Sequence, residues 1–152
     1  MRRNAKEKDV KKEILELFAR AARSIGYSDV HGKVIAALLM EGRELSLQEL
    51  AKLTGYSLAS ISLSLDFLEL FEIIRRVKKE RDRKLYVKLE GDLLLALKLA
   101  VLFKAQRSIS KALEELQAYK QKRETRRIAS RVERELKRLQ KYLEKLGKVK
   151  LP

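Results

Sequence analysis

Apolar side chains recur every three or four positions through Val10, Ile14, Leu17, Phe18, Ala21, Ala22 and Ile25, with Lys and Arg in the intervals. That is the helical period, and it predicts an amphipathic helix over residues 5–25. Gly26-Tyr27-Ser28 breaks the pattern, and Ser28 or Asp29 can cap a second helix near Val30 to Met40, whose apolar Val34, Ile35, Leu38 and Leu39 lead to a stop at Gly42. Ser46 and Glu49 then stand at capping-box spacing ahead of Leu50 and Leu53. Gly55 supplies a tight turn, because glycine takes positive φ without steric cost. Tyr56-Ser57 opens another helix with Leu58, Ile61, Leu65 and Leu68 at core spacing, the last three turned inward, predicted to run to about Phe71.

The period then changes. Ile73 to Lys79 and Lys84 to Leu89 read as two strands, the second alternating Leu85, Val87 and Leu89 with Tyr86 and Lys88, around a polar tip at Glu80-Arg81-Asp82-Arg83. After Gly91 and a capping Asp92, a long helix is predicted from Leu93 to about Lys122, apolar nearly all round as far as Phe103. A last helix, near Thr125 to Leu146, carries Ile128, Val132, Leu136, Leu139, Leu143 and Leu146 at coiled-coil-like steps and ends at Gly147. Short helix, turn, helix and charged hairpin are the parts of a winged helix-turn-helix, which offers one helix and one ribbon to duplex DNA. The predicted fold is mainly α with a small β-wing (α+β). Residues 1–27 form an N-terminal dimerisation helix, 28–91 the winged-helix domain and 92–152 a C-terminal helical dimerisation region.

The run from Glu49 to Ser62, Glu-Leu-Ala-Lys-Leu-Thr-Gly-Tyr-Ser-Leu-Ala-Ser-Ile-Ser, followed by Asp82-Arg83-Lys84-Leu85-Tyr86, resembles the winged-helix regulators of the MarR superfamily, and within it the often archaeal GbsR-like branch. The motif covers about a third of the chain, and flanking helices in the family's order extend the likeness. The resemblance implies a dimer joined through terminal helices, and a regulator, commonly a repressor, that leaves DNA when a small molecule or partner binds. It also implies that Asp82 braces the wing by pairing with Arg81 or Arg83. One departure stands out: Glu72 replaces the glycine that usually ends the reading helix.

Composition sharpens this picture. The chain has 152 residues, 38% of them charged, no Cys, no Trp and a net charge of +15. Lys, Arg and Glu in such abundance suit an intracellular, thermophilic protein. The charged N-terminus is unlike a signal peptide and the apolar run from Leu93 to Phe103 is too short to span a bilayer, so a cytoplasmic, nucleoid-associated protein without membrane contact is expected. The charge is uneven: residues 1–27 carry +4, 28–70 carry −3, 71–90 carry +4 and 104–152 carry +10. The positive potential therefore lies on the wing and termini, not on the reading helix.

Candidate DNA contacts on the helix-turn-helix are Ser46, Ser57, Ala59, Ser60, Ser62, Leu63 and Ser64. The second helix holds no Lys or Arg and cannot make the common bidentate contact to guanine. Its serine hydroxyls can meet phosphates or base edges, and Leu63 a thymine methyl; equally, small serines often just cover a helix surface. On the wing the candidates are Arg76, Lys79, Arg81, Arg83 and Lys84, with the tip arginines placed for a narrow minor groove. A charged hairpin can also simply protect a sheet edge.

Candidate dimer contacts are Ile14, Leu17, Phe18, Leu94, Leu97, Val101, Ile128, Val132, Leu136, Leu139 and Leu143. The competing reading of the last five is an intramolecular hairpin with the preceding helix. The outer face of the final helices is strongly basic, either as a solvated face or as a second phosphate-binding surface. His31, the one histidine, has no partner at ligand spacing and reads as an ordinary first-turn residue; no metal or cofactor is expected. With no Cys, no Gly-rich phosphate loop and no paired carboxylates in a pocket, catalysis is not expected either. Three functions fit: a sequence-specific dimeric regulator with double-stranded DNA and an unidentified effector as partners, a low-specificity architectural DNA binder, or a winged helix that serves protein assembly.

Overall fold

The computed structural model describes residues 2–152. In chain order the elements are α1 (Arg2–Ser24), α2 (Asp29–Glu41), β1 (Leu45–Ser46), α3 (Leu47–Thr54), α4 (Leu58–Leu70), β2 (Ile74–Lys78), β3 (Leu85–Leu89), α5 (Leu93–Gln121) and α6 (Arg126–Gly147). The three antiparallel strands are ordered β1-β3-β2, with Leu45 opposite Val87 and Arg76 opposite Val87 on the other side. This is the winged-helix α+β fold. The chain forms two compact units, one ending at Ala96 and one running from Leu97 to Pro152.

In the first unit, Val34, Leu38, Leu45, Leu50, Ile61, Leu65, Leu68, Ile74 and Val87 make one buried core from α2, α3, α4 and the sheet. α1 closes it. Leu15 and Ala19 are buried, and Ile14 and Phe18 pack against the same core. Close approach is built into Gly32: a Cβ there would lie 2.2 Å from the Phe18 carbonyl oxygen. Charged pairs flank the contact, Lys11 to Glu41 at 2.9 Å and Lys33 to Glu16 at 2.8 Å.

Helix ends follow the side chains. Gly42 and Gly55 end α2 and α3 in the left-handed conformation. α4 ends differently. Its C-cap is Phe71, and Glu72 takes φ of 57°, the left-handed value for which a glycine is ordinarily needed. β1 was not expected from sequence; two residues show no period, and pairing with β3 alone defines them.

In the second unit, α6 runs antiparallel to α5. Glu133 bonds Lys120 at 2.7 Å, Lys98 Nζ donates to the Val149 carbonyl at 2.7 Å, and Gly147 sits over Leu102. The predicted seam divides, with Leu143 buried, Leu136 and Leu146 half-buried and Ile128, Val132 and Leu139 exposed, while Ala129 and Glu133 from outside it turn inward. Among the described residues no helix is long and apolar enough to cross a membrane.

Candidate nucleic-acid interface

The helix-turn-helix is fixed locally. Ser46 Oγ accepts from the Glu49 backbone N–H at 3.1 Å, and the Glu49 carboxylate accepts from the Ser46 N–H at 2.8 Å. Arg43 holds the same carboxylate at 3.0 Å, and together these bonds keep Glu49 ionised below the usual carboxylate range. Ser46 is buried, so it caps α3 and does not face a groove, which corrects the expectation for that residue. At the head of α4, Ser57 Oγ accepts from the Ser60 N–H at 3.1 Å and donates to Ser60 Oγ at 3.0 Å. Both hydroxyls are partly spent on the cap.

Ser64 is a second correction. It lies one turn before Leu68, inside the buried arc of α4, and is 1% exposed. Its Oγ lies 2.7 Å from His31 Nδ1, and the His31 ring stacks on Phe67 with centroids 4.3 Å apart. Burial pushes the imidazole below its ordinary range. Sequence reasoning missed this pair because 33 residues separate its members.

The outward face of α4 carries Ala59, Ser62, Leu63, Asp66, Glu69 and Leu70. Leu63 is 71% exposed and Leu70 75%. The guanidinium nearest this face belongs to Arg76 on β2, and it is committed. Its Nη2 bonds Asp66 and the Ser62 carbonyl, and Nη1 lies 3.4 Å from Glu69. Arg76 thus ties the wing to α4 and neutralises its acids; it is not the free phosphate contact expected from sequence.

The wing tip is built around Asp82. Its carboxylate accepts from the Tyr86 hydroxyl at 2.6 Å and from the Lys84 backbone N–H at 3.0 Å. These bonds hold Asp82 below the usual carboxylate range, and the same carboxylate raises the Tyr86 phenol. Asp82 does brace the wing, but through Tyr86 and the backbone, not by pairing with Arg81 or Arg83. Both arginines are exposed and form no ion pair among the described residues. Lys84 is exposed too, while Lys79 lies over the Tyr86 ring at 4.1 Å and 3.5 Å from Glu44. An open cleft of about 540 Å³ between the wing and the start of α3 is lined by Arg43, Glu44, Glu49, Lys79, Lys84 and Tyr86, charges of both signs.

Of the expected dimer contacts, Ile14 and Phe18 are turned into the core of their own unit, and Leu143 and the half-buried Leu136 belong to the inward side of α6. Leu17, Leu94, Leu97 and Val101 are exposed, as are Ile128, Val132 and Leu139. No group of three His, Cys, Asp or Glu able to hold a metal ion occurs among the described residues.

Known structures share the architecture. A chain described as a transcriptional regulator superposes with a TM-score of 0.65 at 21% identity, over 90% of this chain and 95% of that one. NadR in complex with 4-hydroxyphenylacetate gives 0.46 at 20% identity, over 97% and 93%. A MepR mutant of S. aureus bound to an oligodeoxyribonucleotide gives 0.46 at 16%, over 90% and 97%. The first likeness establishes the winged-helix fold; the two weaker ones add nothing to it. No family model and no curated protein sequence matches the chain.

Proposed function

We propose that this protein is a homodimeric, DNA-binding transcriptional regulator of the MarR type, acting as a repressor. The wing carries the reading: two exposed arginines, Arg81 and Arg83, project from a tip that Asp82 holds rigid through Tyr86 and Lys84. With the turn braced, the backbone that carries these guanidinium groups needs little ordering when they meet phosphates or a narrow minor groove. The α4 face, through Ala59, Ser60, Ser62 and Leu63, supplies modest base selection in the major groove. The exposed apolar row of α5, including Leu94, Leu97 and Val101, is costly to leave in water and supports dimerisation. A two-fold pair of heads would read an inverted repeat.

The likeness to a transcriptional regulator over nearly the whole of both chains supports this reading. The test is selection from a randomised duplex pool at near-physiological salt. An enriched inverted repeat supports the regulator; no enriched motif, with tight binding that collapses as salt rises, rejects sequence specificity. Replacing Arg81 and Arg83 by Ala removes four arginines from a dimer and should make the slope of log affinity against log salt shallower by roughly three to four units. An unchanged slope removes the wing from the mechanism.

One observation favours a second reading. An outward helix face with leucines exposed at positions 63 and 70 and its nearest arginine neutralised is poorly equipped to read bases. Such a face suits an architectural binder with little sequence preference, or a protein partner. Weak binding to any duplex at low salt would select the partner reading.

A further inference from the structure

On α6 the basic side chains form a single row. Arg127, Arg131, Arg134, Arg138, Lys141 and Lys145 follow at steps of four, three, four, three and four. At about 100° per residue, they stay within an arc of about 80°. Every one is exposed. The row runs along the face opposite Ala129, Glu133 and Leu143, the residues that face inward in this unit. No acid falls within its arc. Glu133 is engaged by Lys120 and Lys137 on the inner side, and Glu135, at the edge, bonds Arg138 at 2.8 Å. The row therefore keeps nearly all of its positive charge.

We propose that this row is a second DNA-binding surface, one that grips the phosphate backbone of duplex DNA outside the winged-helix heads. The inference rests on the proposed binding of DNA. From Arg127 to Lys145 the row is about 27 Å long, the length of roughly eight phosphates along one strand. Four of its six members are arginines, whose planar forks match phosphate oxygens in pairs. A membrane surface is the weaker fit. Part of the apolar side of α6 is already spent within its own unit, where Ala129 and Leu143 are buried, so Ile128, Val132 and Leu139 leave only a narrow strip to enter a bilayer surface. A dimer that covers those apolar residues would leave the row open.

The test uses the 152-residue chain and a random-sequence duplex of about 30 base pairs, about 100 Å long at 3.4 Å per base pair. A variant with Arg127, Arg131, Arg134 and Arg138 all replaced by Gln is compared with the same four replaced by Lys and with the Arg81→Ala, Arg83→Ala wing variant. Gln and Lys are both good helix formers, and thermal melts confirm the fold. The slope of log affinity against log salt should fall by about two units or more in the Gln variant, and Lys should restore it. A smaller fall, with wild-type protein still binding, overturns the second surface and leaves the heads as the DNA site. An unchanged slope in the wing variant alone overturns the wing reading and leaves this one standing. If wild-type protein binds no duplex, both readings fall. If it instead binds phosphatidylserine vesicles and the Gln variant does not, the row is a membrane surface and the proposal is wrong.

Discussion

His31 Nδ1 and Ser64 Oγ share a hydrogen bond of 2.7 Å that joins α2 to α4. Phe67 covers the ring from the next turn, and Tyr27 packs on Phe67 with centroids 5.2 Å apart. The orientation of α4 thus depends partly on a neutral imidazole. Desolvation holds the folded-state pKa below the ordinary 6.5, so the unfolded chain takes up the proton more readily. The stabilising contribution is complete above about pH 6.5 and declines as pH falls below it. Melts between pH 5 and 7.5 should show this decline in the native protein and a flatter profile in His31→Gln. Ser64→Ala should cost about 1 kcal/mol at neutral pH by leaving a half-buried ring nitrogen unpaired. Parallel profiles for native protein and His31→Gln would remove the imidazole from the pH response.

Gly32 makes the α1–α2 contact possible. A methyl group added there would meet the Phe18 carbonyl oxygen at 2.2 Å and its carbon at 2.6 Å, both backbone atoms that cannot rotate away. Helix propensity favours Ala over Gly by about 1 kcal/mol, but forcing two helices apart costs more. Gly32→Ala should destabilise by about 2 kcal/mol net, seen as a drop of about 5 °C in Tm. A neutral or higher Tm would mean that α1 does not sit this close.

These two relationships mark where sequence reasoning stops. Ser46 and Glu49 were legible as a capping box and Gly55 as a turn, because those signals are complete within a few residues. Leu85, Val87 and Leu89 announced a strand by alternation, and only Val87 proved fully buried. His31 and Ser64 meet only because two helices cross, and the need for glycine at position 32 comes entirely from the neighbouring helix. The same limit explains α6. Its apolar residues read as one seam, yet small Ala129 and ion-paired Glu133 face inward while Ile128 and Val132 do not. Arg76, read as a DNA contact from charge alone, is turned back by Asp66 and Glu69 on another element.

Glu72 occupies a left-handed position at the end of α4, with φ of 57°. For a residue with a Cβ that conformation costs about 1 kcal/mol or more, partly offset because glycine is freer in the unfolded chain. Glu72→Gly should therefore stabilise by about 0.5 kcal/mol, raising Tm by about 2 °C at matched protein concentration. A loss of stability would show that the Glu72 side chain compensates for the strain.

Asp82 and Tyr86 separate wing rigidity from wing charge. Tyr86→Phe removes the phenol that donates to Asp82 but leaves Arg81 and Arg83 in place. Affinity for duplex should fall about three- to tenfold as the tip loses its preorganisation, while the salt slope stays unchanged. A lower slope instead would mean that Tyr86 positions a phosphate contact directly.

Glu133 gives the C-terminal hairpin its acid sensitivity. Lys120 at 2.7 Å, and then Lys137 at 2.6 Å, lower its pKa from 4.5 to about 2. A carboxylate depressed in the folded state stabilises fully above its unfolded pKa, and that contribution is lost as pH falls from about 4.5 toward 2. Glu133→Gln should melt below the native protein at pH 7, and the two curves should converge near pH 2. The loss across that window should be shallower in the variant than in the native chain. Lys120→Met should reproduce part of the effect, since it removes the stronger partner. If native protein and Glu133→Gln lose stability in parallel between pH 4.5 and 2, the two lysines do not hold the carboxylate between α5 and α6.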